Sequence, residues 1–130
     1  MGTHPHVVQP VEWRVAERDG TTVRVPVIYS LGNFISNMAQ KNVNYGAFVR
    51  LTLTKSASGE VRCSALAYLP LLCYRDGVHA VKPCFFDETG ESQKAFAHLR
   101  AICGENGINL ITRKDLLNDA GEASVDQSAQ

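Results

Sequence analysis

The side chains best equipped for chemistry stand at the head of the chain, in the run Gly2-Thr3-His4-Pro5-His6-Val7-Val8-Gln9-Pro10-Val11-Glu12. In an extended segment, residues two apart point to the same side, so the His4 and His6 imidazoles can reach one small volume. Neutral imidazole is a good ligand for zinc, iron or the manganese-type ions of dinuclear centres, with its second ring nitrogen held by a carbonyl or carboxylate. Two histidines near a terminus are as often solvated surface residues, and the pair by itself leaves both readings open. A terminal artefact also imitates metal binding. With Met1 removed, the amine of Gly2, the following backbone nitrogens and His4 would form a square-planar set for copper(II) or nickel(II).

A hydrolytic dinuclear centre needs more ligands than this, typically carboxylates and an Asn among the histidines, to hold two ions and leave room for water. No Asp-x-His and no Asn-His pair occurs, and Gly32-Asn33 is followed by Phe34 instead of a histidine. The other histidines, His79 in a short apolar segment and His98 beside Leu99, read as surface or satisfied structural residues. There is no Gly-x-Ser-x-Gly elbow, no phosphate-cradling Gly-x-x-x-x-Gly-Lys loop and no Gly-x-Gly-x-x-Gly fingerprint. Cys63, Cys73, Cys84 and Cys103 contain no Cys-x-x-Cys pair, so they read as buried thiols, with a disulfide permitted by the even count.

The elements that must position these residues follow from periodicity. Val11, Trp13 and Val15 alternate with Glu12 and Arg14, Arg18-Asp19-Gly20 supplies a turn, and Val23, Val25 and Val27 resume the alternation, which predicts a β-hairpin. Its second arm stops at the breaker pair Gly32-Asn33, which opens a loop to about Asn44. Ala47 to Leu53 and Val61 to Leu69, divided by Ser56-Ala57-Ser58-Gly59, predict a second hairpin. A shorter pair follows, Leu71 to Tyr74 and Val78 to Phe86, in which Pro83 demotes the second segment to an edge or a strand end. From Ser92, a plausible N-cap, Phe96, Leu99, Ile102 and Cys103 share one helical face, and Gly104 can end the helix. Ile108, Leu110 and Ile111 suggest a short extended piece. The stretch Asn118 to Gln130, poor in large apolar residues, reads as a frayed, disordered tail. The fold class is thus α+β, mostly antiparallel hairpins with one C-terminal amphipathic helix. One helix cannot cover the sheet surface that the alternation implies, so either the sheet packs on itself or something is missing.

The chain's 130 residues fit one domain, and 13 Lys+Arg against 13 Asp+Glu leave no net charge. That balance, without any basic run, disfavours an electrostatically held nucleic-acid partner. No apolar stretch approaches the roughly 18 residues of a membrane span. The N-terminus has neither the basic nor the apolar region of a secretory signal, and His6 stands where a myristoylation signal wants Ser or Thr.

Two stretches, Gly2 to Glu12 and Val27-Ile28-Tyr29-Ser30-Leu31-Gly32-Asn33-Phe34-Ile35, in this order and at this separation, resemble the CapA family of poly-gamma-glutamate capsule biosynthesis proteins. The resemblance is strong only to Ile35 and extends weakly through Tyr45-Gly46-Ala47 to Tyr68-Leu69-Pro70. It implies a calcineurin-like metallophosphoesterase fold, a four-layer α/β/β/α sandwich with metal ligands on loops at strand ends. It also implies a frequent association with the cell envelope. The family's final ligand motif, a Gly followed by His-x-His, matches His4-Pro5-His6 after Gly2-Thr3, so His4 and His6 would be ligands, one to each of two divalent ions. Gln9, Glu12, Ser30 and Asn33 fall in the same motifs and would serve behind the ligands or on the substrate side, against a plain reading as strand-end and loop structure. Tyr29 and Phe34 are expected to pack.

Family members carry a long portion before this point, with a Gly-Asp, an Asn-Asn-His-x-x-x-Asp-type motif and further histidines. The chain therefore looks like the C-terminal third of such a protein, residues 1–117 forming part of the domain and 118–130 its tail. On this reading the metal site is completed outside the chain, and the chain alone is inactive. A rival expectation makes it a non-catalytic interaction module, with a bare β-face meeting a second copy or a separate N-terminal portion.

Overall fold

The computed structural model describes residues 4–85, 89–104 and 107–126. Strands β1 (Val11–Arg18) and β2 (Thr21–Ile28) pair antiparallel from Val11↔Ile28 to Arg18↔Thr21. Their two-residue connection, Asp19 and Gly20, has φ of 50° and 74°. Two successive positive φ values suit the right-handed twist of a tight hairpin, and Asp-Gly reaches them at little cost. The first expected hairpin is therefore present.

The second sheet is built on β3 (Tyr45–Lys55) and β4 (Val61–Tyr74), antiparallel with an irregularity between Thr52 and Leu53. Leu71 to Tyr74 is not a separate strand but the end of β4, which accepts β5 (Ala80–Pro83) on its other edge. Pro83 ends this short edge strand, as its missing N–H requires; Phe86, where that segment was expected to stop, lies outside the described residues. β6 (Asn109–Leu110) adds in parallel beside Ala67 and Tyr68.

Helix α1 (Gly90–Cys103) ends at Gly104 as expected, but its N-cap is Thr89, whose side chain accepts from the Ser92 N–H. Ser92 lies inside the first turn, fully buried, and its hydroxyl donates to the Cys84 carbonyl. A second helix, α2 (Arg113–Asp126), was not anticipated. It runs into the stretch read as a tail from Asn118, and residues 127–130 lie outside the described ones. No helix among the described residues is long and apolar enough to cross a membrane.

The helices account for the continuous apolar run of β4, because both faces of that strand are covered. Leu66, Tyr68 and Leu72 join Val8, Val11, Ile28, Ala95, Leu99 and Cys103 in the larger core. Leu69 and Leu71 face the other way, against Ile111, Phe85 and Leu116. An Arg50–Asp119 ion pair at 2.7 Å ties α2 to β3. The fold is α+β, two antiparallel-based sheets and two short helices, and the sheet face left uncovered in the sequence reading is partly filled by α2. At the far end of the β3–β4 hairpin Leu53 and Val61 remain 64% and 51% exposed.

Candidate functional site

The histidine segment is held by the loop that follows β2. Gln9 N–H donates to the Ser30 carbonyl at 3.0 Å, Tyr29 N–H to the Pro10 carbonyl at 3.3 Å, and Val8 bridges Leu31. Ser30, 2% exposed, donates its hydroxyl to the Pro5 carbonyl at 2.9 Å and accepts the Gly32 N–H at 3.1 Å. It therefore pins the peptide between the two histidines to the loop. Gly32 and Gly46 form a bridge and let the chains cross closely. A Cβ on Gly32, at φ 68°, would stand 2.8 Å from the Tyr45 carbonyl, and one on Gly46 would stand 2.6 Å from the Asn33 carbonyl.

That crossing delivers Asn33 to His6. Asn33 Nδ2 donates to the Val43 carbonyl at 3.1 Å, and Asn33 Oδ1 lies 2.8 Å from His6 Nδ1. Only the NH2 end of the amide can donate to a carbonyl, so the end facing His6 is the acceptor oxygen. His6 Nδ1 must then carry the proton, which leaves the lone pair on Nε2 of this exposed ring. This is the tautomer a ligand histidine needs when its other nitrogen is held by a carbonyl oxygen.

The segment is not the extended piece assumed for the His4/His6 geometry. His6 and Val7 lie in a bend, and β1 begins only at Val11. His4 is exposed and has φ 137°, a conformation that L residues rarely adopt. Gly2 and Thr3, the first part of the motif and of the copper-binding set, lie outside the described residues.

The remaining candidates separate. Gln9 contributes its backbone N–H, and its side chain makes no hydrogen bond among the described residues. Glu12 accepts from Arg14 Nε at 2.6 Å and from the Tyr29 hydroxyl at 2.8 Å, and Arg14 also donates to that hydroxyl at 3.1 Å. The Tyr29 hydroxyl first and then Arg14 hold the Glu12 carboxyl below its usual range, while the bond to Glu12 and then that to Tyr29 push the Arg14 guanidinium up. The side chains of Tyr29 and Phe34, expected to pack, are 39% and 66% exposed. Arg14 was not singled out from sequence, although its i+2 spacing from Glu12 on one strand face was a signal. The Val43 carbonyl was also missed, since a backbone acceptor ten residues downstream leaves no trace in residue type.

Of the other histidines, His98 is hydrogen-bonded to Asn42, whereas buried His79 Nε2 finds no hydrogen-bond partner among the described residues. Among the described residues no disulfide joins the four cysteines, of which Cys63 is half-buried and the others buried. Burial pushes the Cys103 thiol up to about 11. Among the described residues no group of three or more His, Cys, Asp or Glu could hold a metal ion.

Residues 1–38 match the family model described as Bacterial capsule synthesis protein PGA_cap. That stretch contains His4, His6, Gln9, Glu12, Ser30 and Asn33, so the resemblance to a capsule synthesis family holds over these candidate residues, while Val43 and Gly46 lie beyond it. No curated protein and no solved structure matches the chain.

Proposed function

We propose, from the premise that the chain carries the signature of a capsule synthesis family through residue 38, that His4 and His6 are ligands to divalent metal ions in a phosphoesterase-like site. The site acts on a capsule polymer of the poly-gamma-glutamate class or on its precursor. The observation that carries this reading is the His6 Nδ1–Asn33 Oδ1 contact of 2.8 Å, with the Asn33 amide oriented by Val43. The imidazole is thereby held with its free lone pair outward before any ion arrives. Ser30 does the same for the backbone, through the Pro5 carbonyl. The remaining ligands come from groups that the described residues of this chain do not hold. Divalent ions held there would supply Lewis-acid polarisation of a phosphoryl or acyl oxygen and activation of a water.

On this reading the chain alone binds metal weakly and does not turn over phosphodiesters. Calorimetric titration with zinc, comparing the unaltered chain with His6→Ala, tests the ligand role; equal heats would contradict it. Phosphodiesterase turnover with manganese or zinc that His4→Ala abolishes would overturn the claim of inactivity.

The exposed apolar side chains of Leu53 and Val61 favour a second reading, in which this hairpin end is a protein interface. Light scattering behind size-exclusion, with an apolar dye as probe, separates the two. A monodisperse monomer that binds no dye counts against the interface.

A further inference from the structure

We infer that His98, on α1, is a positioning residue for the His6 imidazole, acting through the turn at Asn42–Asn44. This rests on the reading of His6 as a ligand and extends it to what holds that ligand in its tautomer. Val43, whose carbonyl orients the Asn33 amide, is 4% exposed and gripped on both flanks. On one side the Asn44 carbonyl accepts the Cys73 N–H of β4 at 2.8 Å. On the other, the Asn42 amide nitrogen lies 3.2 Å from His98 Nε2, and the Asn42 carbonyl accepts the Tyr45 N–H at 3.1 Å. Asn42 has φ 63°, a left-handed conformation that Asn tolerates better than most residues, so one side chain suits the turn and also reaches the helix.

The helix face is built for this contact. Glu91 and His98, seven residues apart, lie on the same side of α1. Glu91 accepts from the Tyr45 hydroxyl at 2.9 Å, and the rings of Tyr45 and His98 stand with centroids 5.7 Å apart. Burial and the Glu91 carboxylate push the Tyr45 phenol up to about 12, so it remains a donor throughout the ordinary pH range. Two sets of hydrogen bonds, His98 to Asn42 and Val43 to Asn33 to His6, are thus joined through the Asn42–Val43 backbone into one path from α1 to the site.

The test is a long-range proton–nitrogen NMR spectrum of the histidine rings of the full, nitrogen-15-labelled chain at about pH 8, where imidazoles are neutral. The unaltered chain shows His6 protonated on Nδ1. His98→Ala moves His6 toward the tautomer mixture given by Asn33→Ala, while the amide spectrum of β4 stays in place. His98→Gln, whose side-chain oxygen can accept from Asn42, restores the Nδ1–H form. Should His98→Ala fail to fold, Asn42→Gly keeps the positive φ, removes only the amide, and has the same expected effect. An unchanged His6 tautomer in a folded His98→Ala or Asn42→Gly variant overturns the inference, as does failure of His98→Gln to restore it. These spectra contain no metal. A tautomer response without zinc binding would sink the ligand reading alone, and zinc binding with a fixed tautomer would sink the coupling alone.

Discussion

Replacing Ser30 by Ala removes one oxygen and leaves two partners stranded. The hydroxyl donates to the Pro5 carbonyl at 2.9 Å and accepts the Gly32 N–H at 3.1 Å, within a side chain 2% exposed. Pro5 is only half-buried, so water can reach its carbonyl, and the loss there is that of an ordinary hydrogen bond, about 1 kcal/mol. Gly32 is crowded, with Val8 N and the Tyr45 carbonyl within 3.0 Å of where its Cβ would be. Gly32 is itself half-buried, and a donor left unsatisfied there costs about 1–2 kcal/mol, the lower part of the range for a buried one. Together the substitution destabilises by about 2–3 kcal/mol, a fall in melting temperature of about 8–12 °C for a chain of this size. Urea unfolding at neutral pH measures it. The His4–His6 segment should also lose order, read as faster amide exchange at His6 and Val7 than at Val11. A cost below about 0.5 kcal/mol, the level of an ordinary surface change, would refute the reasoning that Ser30 pins the segment.

Three further outcomes are expected. Gly46→Ala forces a Cβ against the Asn33 carbonyl, 2.6 Å away, and should destabilise by about 1–3 kcal/mol in urea, whereas Gly59→Ala, strained at φ 88° but with nothing near, should leave the His6 spectrum untouched. The folded state holds Glu12 below its usual pKa, so its stabilising contribution is present above the unfolded carboxylate pKa and is lost as pH falls through the folded one. The stability gap between the unaltered chain and Glu12→Gln should accordingly shrink when urea unfolding is repeated at progressively lower pH; a gap that widens on acidification contradicts the sign. With Cys103 pushed up to about 11 and Cys73 and Cys84 also buried, a disulfide reagent at neutral pH should label Cys63 first, and rapid labelling of Cys103 in the native chain would contradict its burial.

Strand alternation exposed both hairpins, because Val11, Trp13 and Val15, and Ala47, Val49 and Leu51, each line one face of a strand. The breaker pair Gly32-Asn33 was legible for the same local reason, and so was Gly104. Helix α2 was not, since after Leu116 and Leu117 only Val125 adds a branched apolar residue, too little to mark a face. The N-cap was misplaced because Thr89 and Ser92 are both good cap residues, and only burial of Ser92 under the Cys84 carbonyl separates them. Within the site, the motifs that carry the resemblance grouped His6, Ser30 and Asn33. They could not show that Glu12 turns away to Arg14 and Tyr29, because strand neighbours choose partners by face and reach. Nor could they show the Val43 carbonyl, which every residue type possesses.

The central claim is that His6 offers Nε2 to a metal while Asn33 keeps the proton on Nδ1. The most direct measurement is a zinc titration followed through the ring nitrogens of the labelled chain. The account predicts that zinc shifts His6 Nε2 with Nδ1 still protonated, and shifts a His4 ring nitrogen in parallel. Zinc that leaves His6 unperturbed, or binds it through Nδ1, would contradict the account.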